Sequence, residues 1–117
     1  MPHLIIEHSQ AGLSTGESYE LLESLKPILG EMPTIDPANL KFRAIEATHS
    51  YGADPELPHV HITFKLLKGR DDLLKVQIAK KIFDHSTSYI EAKLEGVPGL
   101  SVEVVELQTY CKEPSRA

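Results

Sequence analysis

Pro2-His3-Leu4-Ile5-Ile6, near the start of the chain, returns as Pro58-His59-Val60-His61-Ile62. Each Pro-His pair opens a run rich in branched apolar residues, the composition of a β-strand. Each run leads to a helix start signal, then to a helix, then to a second strand. Ala44-Ile45-Glu46-Ala47 and Val102-Glu103-Val104-Val105 hold matching places at the end of the two halves. The pattern predicts a duplicated βαβ unit. It gives an α+β fold with four strands in one sheet and two helices on one face. Right-handed crossovers are expected within each unit.

Working outward, the first half covers residues 1–57. Leu4 to Ser9 reads as a strand. Ser14-Thr15-Gly16-Glu17 fits a capping box, in which the Ser14 hydroxyl and the Glu17 carboxylate satisfy free amides at a helix start. Tyr19, Leu22, Leu25 and Leu29 follow at helical spacing as its apolar face. Pro27 is expected to kink or shorten this helix, and Gly30 to stop it. Residues 31–39 carry Pro33 and Pro37 and read as a loop. Leu40 to His49 reads as the second strand, with Phe42, Ala44 and Thr48 on one face and Lys41, Arg43, Ile45 and Ala47 on the other. Tyr51 to Pro58 reads as a loop.

The second half covers 58–107. His59 to Leu67 is a strand, and Asp71 and Asp72 suit a helix N-terminus by capping and charge. Leu74, Ile78, Ile82, Tyr89 and Ile90 mark the buried stripe of a helix running to about Glu95. Ser101 to Leu107 is the last strand. Residues 108–117 form a tail expected to fray or to dock on a neighbour. Apolar residues on the uncovered sheet face favour burial against further copies of the chain.

The chain has 117 residues and a formal net charge of -5. One domain of that length buries a core without staples. The charge argues against a general nucleic-acid or anionic-membrane binder. Cys111 is the only cysteine, so an intrachain disulfide is excluded and a reducing cytoplasm is the expected compartment. The first residues lack the basic and apolar regions of a signal peptide, and no stretch has the length of a membrane span.

Several residues carry chemistry. A small residue after Met1 permits removal of the initiator, which would leave Pro2 with a free secondary amine at the edge of a folded sheet. His59 and His61 lie two apart and share a strand face, but a metal site needs further ligands. Arg43 could pair with Glu46 or Glu103 across the sheet, and Arg70 could sit solvated beside Asp71 and Asp72. His85 with Ser86, Thr87 and Ser88 lies in mid-helix without a nucleophile elbow, which carries no hydrolase. No glycine-rich phosphate loop is present.

The start Pro2-His3-Leu4-Ile5-Ile6-Glu7, the arginine of Lys41-Phe42-Arg43, the run Val60-His61-Ile62-Thr63-Phe64-Lys65 and Gly69-Arg70 before a helix together resemble the tautomerase superfamily. Within it, the likeness is to 5-carboxymethyl-2-hydroxymuconate isomerase and extends from Pro2 to about Leu107. The resemblance implies a homotrimer with active sites near subunit boundaries, using no metal or organic cofactor. It implies that Pro2 is the base that moves a proton in a small unsaturated 2-hydroxy or 2-oxo carboxylic acid. Arg43 and Arg70 are then the carboxylate-binding and catalytic partners. Lys41 stands where relatives tend to have another arginine, a change that keeps charge and loses the bidentate fork. Two other functions fit parts of the sequence. One is a binding or signalling protein on the same scaffold, and the other is a metal module built on His59 and His61.

Overall fold

The computed structural model describes residues 2–9, 12–49, 51, 57–93 and 99–111. Its elements run β1 (His3–His8), α1 (Thr15–Gly30), a 3-10 turn (Pro37–Asn39), β2 (Lys41–Glu46), β3 (His59–Leu67), α2 (Asp72–Lys93) and β4 (Gly99–Leu107). The strands form one sheet in the order β2-β1-β3-β4. Each half is a parallel pair bridged by its helix, and the two halves meet through antiparallel β1 and β3.

The Pro-His echo has a structural counterpart. The amide of Lys41 donates to the Pro2 carbonyl at 3.0 Å, and the amide of Gly99 donates to the Pro58 carbonyl at 2.8 Å. His3 then pairs with Lys41 and His59 with Gly99. Counting on three residues from each pair sets Ala44 opposite Ile6 and Val102 opposite Ile62. The matching letters therefore occupy matching places in the two ladders.

The period-2 rule sets the faces of the strands. Leu4 and Ile6 of β1, and Val60, Ile62, Phe64 and Leu66 of β3, are buried beneath the helices, and Phe42, Ala44, Val102 and Val104 pack on the same core from the edge strands. Helix α1 contributes Leu21, Leu25 and Leu29, and α2 contributes Ile78 and Ile82. The stripe of α1 is turned from the expected one. Leu21 is fully buried, whereas Tyr19 is 66% exposed. Leu22 lies at the margin of the core. The stripe of α2 matches expectation, with Ile78, Ile82 and Ile90 buried and Leu74 and Tyr89 packed at its edge.

The capping box forms in full: the amide of Glu17 donates to Ser14 Oγ at 3.1 Å, and the amide of Ser14 donates to Glu17 Oε1 at 2.9 Å. Pro27 does not end α1, which continues to Gly30 and is closed by Glu31 in a helical conformation. Gly30 is thus the last helical residue rather than a left-handed stop. The expected loop 31–39 contains the 3-10 turn, and β2 is shorter than the expected strand, ending at Glu46. Asp71 caps α2, its Oδ1 accepting from the Leu74 amide at 2.8 Å. The expected helix end near Glu95 lies outside the described residues. β4 begins two residues earlier than expected, at Gly99. No described helix is long and apolar enough to cross a membrane.

The open face of the sheet is more polar than expected. Ile5 is buried and Ile45 exposed there, but their neighbours include His3, Arg43, His61, Thr63, Lys65 and Glu103. His61 accepts from the Ser101 hydroxyl at 2.6 Å and donates to Glu103 at 3.1 Å, and the Thr63 hydroxyl also reaches Glu103 at 3.2 Å. The His61 bond holds the Glu103 carboxyl below its ordinary value; partial burial opposes the shift and the Thr63 bond supports it. His61 is therefore engaged by its own sheet. Among the described residues, no group of three or more His, Cys, Asp or Glu is arranged to hold a metal ion.

Candidate active site

Pro2 lies at the N-terminal end of inner strand β1, buried, with its carbonyl tied to β2 through Lys41. Topology gathers charge at this end. Parallel pairing brings Lys41 beside His3 and Arg43 beside Ile5, and antiparallel pairing brings Lys65 beside His3 from the other side. Odd-numbered residues of β1 and β2 share the open face, so His3, Lys41 and Arg43 project from one surface.

His3 is the hub of this cluster. Arg43 Nη1 donates to His3 Nδ1 at 3.3 Å. A guanidinium has no acceptor, so Nδ1 must be unprotonated and the neutral ring carries its proton on Nε2. That Nε2 lies 2.8 Å from the Tyr110 hydroxyl and donates to it. The two rings meet edge-on, with centroids 5.8 Å apart and planes at 76°. Burial, first, and then the cations Arg43, Lys65 and Lys41 push the His3 pKa below its ordinary value. Three basic side chains thus act on one imidazole beside the buried proline, and such a surface favours carboxylates.

Arg43 does not pair with Glu46 or Glu103, the partners its sequence position offered; its partner is His3. Arg70 is not ion-paired to Asp71 or Asp72. Its Nε donates to Thr34 Oγ1 at 3.0 Å, Nη2 to the Thr34 carbonyl at 2.8 Å and Nη1 to the Leu67 carbonyl at 3.1 Å. Gly69, at φ +119°, allows the reversal from β3 that sets Arg70 there. Thr34 itself has φ +69°, an unfavourable conformation for a β-branched residue. Arg70 therefore clamps a strained loop residue and joins the segment before β2 to the end of β3. Those segments lie toward the end of the sheet where Pro2 lies. Lys41 contributes its backbone amide to Pro2 and its charge to the field at His3.

Sequence reading did not single out His3 and Tyr110 as site residues. The period-2 rule puts His3 and His8 on opposite faces of β1, and so they lie: His8 is buried and bridges the Ser9 carbonyl and the Ser18 hydroxyl on the helix side. Tyr110 belongs to the tail. Its described part docks on the first strand of its own chain rather than fraying. The one hint in the sequence was an aromatic residue just past the last strand.

A shallow groove between α1 and β2 is lined by His8, Ser18, Tyr19, Leu22, Ala44 and Glu46. It lies on the helix side and toward the far end of β1, so it is not continuous with the cluster around His3.

The βαβ-βαβ subunit with both helices on one face of a four-stranded mixed sheet is the fold of the tautomerase superfamily. Solved structures share this fold. A 5-carboxymethyl-2-hydroxymuconate isomerase from Deinococcus radiodurans R1 superposes with a TM-score of 0.80 at 24% identity, covering 95% of this chain and 88% of that one. A 5-carboxymethyl-2-hydroxymuconate delta-isomerase also gives 0.80, at 16% identity, covering 97% and 87%. A fused 4-OT, described as a symmetric trimer, gives 0.67 at 17% identity, covering 90% and 86%. Sequence comparison with curated proteins finds no match. The 5-carboxymethyl-2-hydroxymuconate isomerase family model matches residues 2–114, and the chain belongs to that family.

Proposed function

We propose that this protein is a cofactor-independent isomerase that moves a proton within a small unsaturated 2-hydroxy or 2-oxo carboxylic acid. The observation that carries this reading is the placement of buried Pro2 at the sheet end where Arg43, Lys41 and Lys65 act on His3. Family membership supports it.

The base is the Pro2 nitrogen after Met1 is removed. With Met1 attached, that nitrogen is an amide without a basic lone pair. Once freed, it is a secondary amine on a rigid ring, with no side-chain rotor to freeze. An α-amino group ordinarily titrates at about 7.7–8.0, and burial beside cations favours its neutral form. The neutral amine takes the hydroxyl proton of the dienol, and the resulting ammonium returns it to carbon. One group thus serves as base and then acid. Arg43, with Lys41, binds the substrate carboxylate and offsets charge that builds on the dienolate oxygen. Arg70 uses three of its five N–H bonds on Thr34 and Leu67. Its substrate contact would have to come from the remaining two.

The subunit is proposed to act as a homotrimer, in keeping with its exposed sheet edges and with the trimer described for the fused 4-OT. Light scattering of the purified protein tests this, and a monomeric mass at micromolar concentration refutes it.

Intact mass comes first, because the mechanism requires a chain lacking Met1. Pro2→Ala then keeps a primary amine in a less rigid frame, and turnover of a simple enol acid should fall by at least ~10-fold at unchanged thermal stability. Turnover equal to that of the natural sequence sinks the proline mechanism, whereas no turnover by the natural sequence itself favours a binding or signalling protein on this scaffold.

A further inference from the structure

The Tyr110 hydroxyl closes a chain of three side chains, Arg43 to His3 to Tyr110, at 3.3 and 2.8 Å. The chain has a direction. Arg43 can only donate, so His3 Nδ1 must accept, so Nε2 must carry the ring proton and needs an acceptor. Tyr110 is that acceptor. It comes from the segment after β4, 107 positions from His3, and nothing in the ladder of the sheet requires it there.

We propose that Tyr110 is a positioning residue of the active site: by accepting from His3 Nε2 it fixes the imidazole tautomer and ring orientation that aim the Arg43 guanidinium at a carboxylate. The proposal rests on the proposed role of Arg43 in binding substrate. The groups facing His3 are Arg43 and Lys41 from β2, Lys65 from β3 and Tyr110 from beyond β4; all but Tyr110 are cationic. The tyrosine is therefore the only neighbour of the set able to accept the Nε2 proton. Without it, the ring is free to take the opposite tautomer, which puts an N–H against the N–H of Arg43. The same arrangement explains why a site of three basic groups does not repel its own histidine: His3 stays neutral and spends its lone pair on Arg43.

The test is Tyr110→Phe, which keeps the edge-on ring contact and removes only the hydroxyl. Three quantities are read. The 15N shifts of the His3 ring at neutral pH report the tautomer without any substrate. Calorimetric titration with glutarate, a saturated dicarboxylate, reports the carboxylate clamp without turnover. KM and kcat on an enol acid report the reaction.

The expected result is a single Nε2–H tautomer in the natural sequence and a mixture in the variant. Glutarate affinity should weaken by ~2- to 10-fold, the range of one modest hydrogen bond, with KM rising in step and kcat changing less than about twofold. In a His3→Gln background the Tyr110→Phe effect should disappear, because it acts through the imidazole. An unchanged tautomer with unchanged glutarate affinity overturns the proposal, as does a Tyr110→Phe loss that persists at full size in the His3→Gln background. If Pro2→Ala retains full turnover, the proline mechanism fails, while the tautomer and glutarate measurements still decide the role of Tyr110.

Discussion

Replacing Arg70 with alanine separates the substrate contact proposed for it from the loop anchoring that its hydrogen bonds provide. The guanidinium makes three hydrogen bonds, two to Thr34 and one to the Leu67 carbonyl. Hydrogen bonds from a charged donor contribute roughly 1.5–3 kcal/mol each when sheltered. These are exposed, and water replaces them at little cost, so a few tenths to about 1 kcal/mol each is the appropriate scale. The loss is partly offset, because Thr34 at φ +69° is held in a conformation that costs of order 1–3 kcal/mol. Once unclamped, the loop relaxes and recovers part of that strain. The net expectation is a loss of about 1 kcal/mol, a fall of roughly 4 °C in Tm for a chain of this size. Urea titration and thermal melts of Arg70→Ala and Arg70→Lys provide the measurement. Lysine keeps the charge but cannot span Thr34 and Leu67 together, so it should recover little of the stability. The reasoning is refuted if Arg70→Ala melts with the natural protein, or if lysine restores stability in full. A stable Arg70→Ala protein with greatly raised KM would make Arg70 a substrate ligand rather than a clamp.

Further outcomes follow from other parts of the fold. Ser14→Ala removes one arm of the capping box and should cost about 1 kcal/mol by urea titration, with the helical circular-dichroism signal otherwise unchanged. Phe64→Ala empties a fully buried position at the centre of the sheet and should cost about 3–5 kcal/mol, enough to leave much of the chain unfolded at 37 °C. Stability should also fall on acidification. His3 and His85 are both held below the ordinary histidine value, His85 by burial alone. Between that value and their lowered folded values the unfolded chain binds more protons, so stability is lost as pH drops below about 6.5. Urea midpoints at pH 7.5 and 5.5 check this, and His85→Asn should flatten the slope; a pH-independent midpoint would count against the assignment. The Glu103 carboxyl, held low chiefly by His61, adds a second acid-side loss below the ordinary carboxylate range, which Glu103→Gln should remove.

The sequence by itself determined the element order, the capped start of α1, the buried stripe of α2 and the duplication. These rest on local rules: a capping box is four residues long, and a helix stripe is set by its 3.6-residue period. Pro2, Lys41, Arg43 and Arg70 were legible as candidates through their motifs, as was the sharing of one face by Lys41 and Arg43. What each touches was not legible. The turned stripe of α1 was missed because Tyr19 and Leu21 both suit an apolar face, and only packing against the sheet buries one and exposes the other. Pro27 was expected to disturb a helix that in fact runs on to Gly30. For Arg43, opposite charge offered Glu46 and Glu103 as surface partners, whereas parallel register with β1 supplied a histidine. For Arg70, chain proximity offered only a solvated place beside Asp71 and Asp72, while its partner Thr34 comes from a loop 36 positions earlier. Tyr110 lies 107 positions from His3, and no periodicity reaches across that separation. Secondary structure followed from local chemistry, but the cationic end of the sheet and the tyrosine that closes it came from strand order and register, which bring residues from three strands and the tail to one proline.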